Sequence, residues 1–480
     1  MKKTISIKQN FFINSIVNIL NIIVPIITLP YLSRTLGPEN LGKINFAISY
    51  TDYFSKLALL GIPKYALREI SQNRDNQLIL NKTFSEIILI KIITSLISFL
   101  LFFLSIIFIP KLNNEIRIFL PLSFSILFSF LSLEWFYGGF ENFKFLTKRA
   151  VVLKLSAIIL ILTLIKKPAD YYLYGFIVLF GIVSGNFAHI FFALKKVRFS
   201  LININLKKHF KPVIYLSGTF LATGLYMNID KVMIGFLSSN ENVAFYYIPN
   251  KLCMILLALL MSLSGVLIPR FSYYIKNKKF DEYKIILKKS INFIFFLSIP
   301  SMIGIFLLSE QIISLFASSE FSEAIITLKI MVLIIITTAL VNCIGLQILF
   351  PFGKDKLYFF SSLIGGIVNI ILNFLLIPLY SHNGAAVATV ITNLIVFLTI
   401  YYFSKKIISF SIFSISILKY ILSSFIMGIC IIYMSKLEIN NLILLPTTII
   451  IAMLCYFSFL LFLKEELITF ILFKKVKNSL

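Results

Sequence analysis

Charge is scarce in this sequence. Asp, Glu, Lys and Arg make up 14% of its 480 residues, and acids are the rarer kind, 20 against 45 bases. One tryptophan, three histidines and four cysteines are present. Each scarcity excludes something. Cys253, Cys343, Cys430 and Cys455 fall singly within hydrophobic runs, which gives neither a disulfide framework nor a metal-ligand spacing. His189, His209 and His382 also stand apart, so packing or loop positions account for all seven. No G-x-x-x-x-G-K-S/T phosphate loop occurs, which excludes ATP hydrolysis by that route. Polar segments reach only about twenty residues, too short for a soluble catalytic domain. No catalytic residue, metal site or cofactor is therefore expected.

What fills the chain instead is apolar. Hydrophobic residues reach 59%, with 50 Phe, at a mean hydropathy of +0.95. A soluble core cannot hide that much apolar surface, because single cores stop growing at a few hundred residues. Lipid is the remaining solvent. The runs are continuous rather than alternating, so they read as helices of roughly 20 residues and not as barrel strands. About fourteen spans fit, from 11–33 and 42–62 at the start to 416–435 and 440–463 at the end. The expected fold class is an all-α polytopic membrane protein. "MKKTISIKQNFFINSIVNIL" has the look of a secretory signal, but no small-residue cleavage site follows, and it reads as an uncleaved first helix.

The formal charge of +25 points toward nucleic acid until its distribution is traced. With the N-terminus inside, about 33 of the 45 bases fall in cytoplasmic segments, among them Lys195–Lys211 and Arg270–Lys289. That bias sets both termini in the cytoplasm, and it lays the basic loops on anionic lipid. No nucleic-acid partner is expected.

A charge at mid-depth in lipid costs at least a few kcal/mol, so it faces protein or a wet cavity. Four spans carry a polar stripe at helical spacing. The first has Asn14, Asn18 and Asn21 before Pro25; the second has Asn45, Ser49, Asp52 and Lys56. The seventh has Thr219, Thr223, Tyr226 and Asp230, and the eleventh has Ser362, Gly366, Asn369 and Asn373. Asp52 and Lys56 form an i,i+4 pair in the favourable order. Asp230 continues its stripe, whereas Lys231 points about 100° away around the axis. Lys251, on the next span, lies at a depth similar to both, which permits an ion pair. Taken singly, each Asn or Ser is a packing group. The charges Asp52, Lys56, Asp230, Lys231 and Lys251 read better as a substrate or ion pathway, with Asn14, Asn18, Asn369 and Asn373 beside it. Glu86, Lys91 and Glu134, near cytoplasmic ends, are secondary candidates able to snorkel to the headgroups. Trp135 reads as an interfacial anchor.

A weak internal echo joins the two halves. "LGPENLGKINFAISY" (Leu36–Tyr50) follows the first span and "LSSNENVAFYYIPNK" (Leu237–Lys251) the seventh, with Glu39–Asn40 over Glu241–Asn242. Transporters often hold substrate between such repeats. The expected organisation is two six-helix lobes, 1–209 and 210–403, with two further helices and a cytoplasmic tail in 404–480.

Six stretches carry a family resemblance: "LPYLSRTLGPENLGKINFA" (Leu29–Ala47), "LALLGIPKYALREIS" (Leu57–Ser71), "LEWFYGGFENF" (Leu133–Phe143), "NIDKVMIGFL" (Asn228–Leu237), "LIPRFS" (Leu267–Ser272) and "GGIVNIILNFLLIPLYSHNGAAVAT" (Gly365–Thr389). In this order, across nearly 400 residues, they resemble the polysaccharide-transport branch of the multidrug/oligosaccharidyl-lipid/polysaccharide (MOP) superfamily, and within it the O-antigen flippases (Wzx-like). The resemblance implies MATE-like lobes around a hydrated cationic cavity, with alternating access. It implies movement of an undecaprenyl-pyrophosphate-linked oligosaccharide to the outer leaflet of a bacterial inner membrane. It also implies coupling to H+ or Na+, and partners among lipids and other polysaccharide-assembly proteins. Rival readings are a multidrug exporter, a peptidoglycan-precursor flippase and a membrane polymerase. The two extra helices disfavour the first, and the lack of long outer loops bearing Arg or His disfavours the last.

Overall fold

The computed structural model describes residues 7–200, 204–437 and 441–468. Among them every regular element is helical. The chain divides into two compact units, Met1–Ala244 and Phe245–Leu480.

In the first unit, α1 (Ile7–Leu59) leads to α2 (Ile62–Asn73), α3 (Gln77–Phe108), α4 (Pro110–Asn113) and α5 (Ile116–Leu127). Then come α6 (Glu134–Gly139), α7 (Phe143–Leu164), α8 (Tyr171–Lys196) and α9 (Lys207–Leu237). α1 has 53 residues. At 1.5 Å per residue that is about 80 Å of helix, far more than the roughly 30 Å of a hydrocarbon core. It breaks at Gly37, whose φ of 72° is open to glycine. The two limbs are two crossings.

Among the described residues ten stretches are long and apolar enough to cross a membrane. Ile19–Asn73 contains the break at Gly37, and Asp355–Lys405 contains another at Ser381. With α7 and α9, of 22 and 31 residues, the expected fourteen crossings are accounted for.

The helices are dressed for lipid. On α3, Ser85, Ser95, Ser98, Glu86 and Lys91 are buried, whereas Leu96, Ile97, Leu100, Leu104 and Phe108 are exposed. Polar groups inside and apolar groups outside is the arrangement a bilayer requires. Phe46, Tyr50 and Phe54 on one face of α1 pack with Phe102, Phe119 and Phe236 at centroid distances of 5.1–6.3 Å. This knot ties α3, α5 and α9 to α1. α9 packs on α1 and α2.

A second core lies around α2. α2 buries Ile62, Tyr65, Ala66 and Ile70 against Phe84, Ile87, Trp135, Phe136 and Val213. Trp135, only 3% exposed, belongs to this core and is not an interfacial anchor. Its ring fills space beside Phe84, and its Nε1 donates to Ser132 O at 3.0 Å.

The second unit holds α10 (Asn240–Lys276, beginning just before the unit boundary), α11 (Phe280–Leu307), α12 (Ser309–Phe316), α13 (Ala324–Met331) and α14 (Ile334–Ile344). α15 (Asp355–Lys405), α16 (Ile415–Met434) and α17 (Asn441–Phe462) follow. Partly buried polar pairs join these helices: Thr327 Oγ1 donates to Asn383 Oδ1 at 2.8 Å, and Thr338 Oγ1 to Asn393 Oδ1 at 3.0 Å. α16 and α17 pack on each other and, through α16, on α11. Cys430 and Cys455 were expected to stand alone, but this packing brings their sulfurs to 3.6 Å.

Candidate functional site

α5 stops short of a full crossing. Its last turn tightens into a 3-10 segment, Phe128–Leu131, and Ser132 is extended before α6 begins. Such a break frees backbone carbonyls inside the membrane, where each needs a donor. Asn186 Nδ2 reaches Phe128 O at 3.4 Å, and Lys91 Nζ reaches Ser132 O at 2.5 Å. Lys91 is fully buried, as is Glu86. Neither extends to the headgroups, contrary to the snorkelling expected of them: one caps a broken helix, and the other is held among donors.

Beside this break lies a cavity of about 300 Å³. Ser49, Asp52, Ser125, Ser129, Asn186 and Lys231 are among the side chains lining it. Helix periodicity explains the first two, because Asn45, Ser49 and Asp52 continue one face of α1's second limb. Lys56 Nζ lies 2.7 Å from Asp52 Oδ2, as their i,i+4 spacing predicts. Lys231 enters from α9. Asp230, its neighbour, is 5% exposed and is absent from the cavity lining, in keeping with the 100° between successive residues. The lysine, then, and not the aspartate, joins Asp52. The cavity combines hydroxyls, an amide, a carboxylate and an ammonium group, with the Lys56 ammonium paired to that carboxylate.

Other predicted residues lie elsewhere. Asn369 and Asn373 are fully buried on α15, with Asn373 Nδ2 donating to Asn369 Oδ1 at 3.1 Å. Lys251 is half-buried on α10, in the second unit. The side chains of Asn14 and Asn18 lie outside the described residues, as do those of Thr219, Thr223 and Tyr226. Glu134 is 61% exposed and pairs with Arg149 at 2.7 Å. Among the described residues no three His, Cys, Asp or Glu converge as metal ligands. A cavity in the second unit, about 270 Å³ between α11, α16 and α17, is lined by Phe296, Pro300, Met427, Ile431, Met453 and Tyr456, and no charged side chain lines it.

Two basic residues of α7 escaped the sequence reading. Lys154, in mid-helix, donates to Asn21 Oδ1 of α1. Arg149 bridges Glu134 and His189, and donates to Gly185 O at 3.2 Å. A lysine at the middle of a span was a visible signal for the first.

The described residues form a multi-pass helical membrane protein whose helices are broken in places and whose first unit holds a charged cavity. The sequence profile of the polysaccharide biosynthesis protein family matches residues 7–275, and that of the MatE family matches residues 216–375. The chain belongs to the polysaccharide biosynthesis protein family. It is 23% identical over 397 residues to a protein named "Putative O-antigen transporter" from Escherichia coli (strain K12), covering 82% of this chain and 95% of that one. The structure of lipid II flippase MurJ in an inward closed conformation superposes with a TM-score of 0.77 at 21% identity, covering 96% of this chain and 99% of that one. An inward-facing multidrug resistance MATE transporter of the MOP superfamily superposes with a TM-score of 0.65 at 12% identity, over 81% and 97% of the two chains. The chain shares their fold.

Proposed function

We propose that the chain is a flippase. In this reading it carries undecaprenyl-pyrophosphate-linked oligosaccharide repeat units, of O-antigen or a related surface polysaccharide, from the cytoplasmic to the outer leaflet of a bacterial inner membrane. Its termini lie in the cytoplasm. The headgroup cannot cross lipid unaided, because its hydroxyls and pyrophosphate would lose their hydrogen bonds to water. The polyprenyl tail needs no such help. A carrier must therefore offer polar partners at depth while leaving the tail in the bilayer.

The observation that carries this reading is the charged, hydroxyl-walled cavity of the first unit, in a chain of this family. Lys56 and Lys231 attract the anionic headgroup, and Asp52 holds Lys56 in position. The name of the E. coli relative agrees with a glycan substrate. So does the MurJ-like fold, which extends over more of this chain than the multidrug fold does. No covalent bond is made or broken, and the protein is not an enzyme. Access alternates between the two faces, driven by H+ or Na+, with Asp230 as the coupling site. Other polysaccharide-assembly proteins then receive the product.

The test is genetic and chemical. In a strain lacking this gene, the lipid-linked repeat unit should accumulate on the cytoplasmic leaflet, shielded from enzymes added outside. Normal accumulation of the unit on the outer leaflet of that strain would reject the reading. Rescue of a strain lacking its peptidoglycan-precursor flippase, with no effect on surface glycan, would favour that substrate instead.

A further inference from the structure

Residues 196–200, at the end of α8 and just beyond it, are held along the first turns of α3. Gln77 Nε2 donates to Lys196 O at 2.8 Å, Arg198 N to Asn81 Oδ1 at 3.0 Å, and Ser200 N to Ser85 Oγ at 2.9 Å. Gln77, Asn81 and Ser85 recur every four residues, so one face of α3 makes all three bonds. Glu86 closes the row. Its Oε1 accepts from Asn205 N at 2.8 Å, and its Oε2 from Lys208 Nζ at 2.7 Å and His209 Nε2 at 2.9 Å. His209 Nδ1 lies 2.6 Å from the Tyr65 hydroxyl of α2. Glu86 and His209 are 0% and 1% exposed. A buried carboxylate is tolerable only with such a set of donors. One side chain thus ties together α2, α3, the α8–α9 strap and the first turn of α9.

The other end of α9 is fastened differently. Phe236 packs edge-on to Phe46 at 5.1 Å, and a Cβ on Gly235 would stand 2.2 Å from the same ring. Just beyond, a Cβ on Gly42 would stand 1.7 Å from Asn240 O. That end is an interlock of shapes, and water cannot replace it. The inner end adds hydrogen bonds and ion pairs to the apolar packing of Val213 in the α2 core, and water replaces those polar bonds readily once they part. Of the two, the inner fastening is built to open and close. The chain also runs from α9 into α10 and so into the second unit.

We propose that Glu86 is a latch: it fastens the inner end of α9 and its strap to α2 and α3, and it is released and remade in every transport cycle. The proposal rests on the alternating-access reading above. Its test therefore has one arm that needs no transport. With Val213, buried on α9, replaced by Cys (Val213→Cys), Glu86→Gln should speed labelling by a membrane-impermeant maleimide from the cytoplasmic side at least fivefold. Labelling of native Cys343, buried in the second unit, should stay unchanged. Equal labelling rates with and without Glu86→Gln, or a parallel rise at Cys343 that signals general loosening, would overturn the latch.

The second arm locks it. Ser85→Cys with Ser200→Cys, in a chain whose four native cysteines are Ala, should cross-link under copper phenanthroline in membranes. Export should fall at least tenfold and return on reduction. Undiminished export by the cross-linked chain overturns the latch, and failure to cross-link overturns the strap geometry. Loss of export in all forms, with the labelling result intact, would count against the flippase reading alone.

Discussion

Asp52 Oδ2 and Lys56 Nζ stand 2.7 Å apart on one turn of α1, and the aspartate lines the same cavity as Lys231 of α9. One carboxylate therefore pairs with a cation on its own helix and lines a cavity with a cation from another. Neutralising it should do more than loosen a bridge, because Lys56 then loses the partner that orients it. Asp52→Asn is expected to lower surface glycan at least tenfold in a strain relying on this protein. The exchange Asp52→Lys with Lys56→Asp should recover part of that loss. Equal export by the unsubstituted chain and both variants would show that the pair does nothing for transport.

Asp230 and Lys231 are neighbours with separate expected roles. Lys231→Gln should slow export while leaving its dependence on imposed ion gradients unchanged, since only the cavity loses a cation. Asp230→Asn should alter the ion dependence itself. Transport into vesicles under imposed proton or sodium gradients separates the two. Identical behaviour of both variants would contradict the division.

Local pattern was legible in the sequence, and long-range partnership was not. The i,i+4 bond of Asp52 and Lys56 follows from helix geometry, as does the angle between Asp230 and Lys231. Spans followed from runs of apolar residues, and the buried face of α15 from the spacing of Ser362, Asn369 and Asn373. By contrast, Lys154 meets Asn21 across 133 positions, and His209 meets Glu86 across 123. No period in the sequence announces such pairs. Trp135 misled because tryptophan suits both a headgroup boundary and a buried core. Lys91 misled because the break it caps, at Ser132, lies inside a run that reads as one continuous helix.

Close approach of backbones gives a stability prediction. A Cβ at Gly42 would meet the Asn240 carbonyl at 1.7 Å, a contact that backbone cannot relieve by rotating a side chain. Gly42→Ala should therefore destabilise the folded chain by about 1–3 kcal/mol, the usual range for overpacking. Gly181→Ala is the control, since nothing lies within 4 Å of its new methyl. Thermal unfolding in detergent should be lowered for the first and unchanged for the second.

Asn369 and Asn373 offer a second stability test. Asn373→Leu removes the donor to Asn369 Oδ1 in a fully buried place. The cost should be about 1–3 kcal/mol, that of a buried polar group losing a partner. Adding Asn369→Leu should cost less than a second such change made alone, because the two residues act on each other. Strict additivity in the same unfolding assay would argue against the bond.

Accessibility of the cavity is the most direct measure of the account. Ser55 lines the cavity, and Ser55→Cys in a chain with its four native cysteines replaced by Ala places one thiol there. The prediction is that a small, charged, membrane-impermeant thiol reagent modifies it, and that lipid-linked oligosaccharide slows the reaction. A thiol that stays unmodified from either side of the membrane, or one whose modification substrate leaves untouched, would contradict a water-filled route for the headgroup through the first unit.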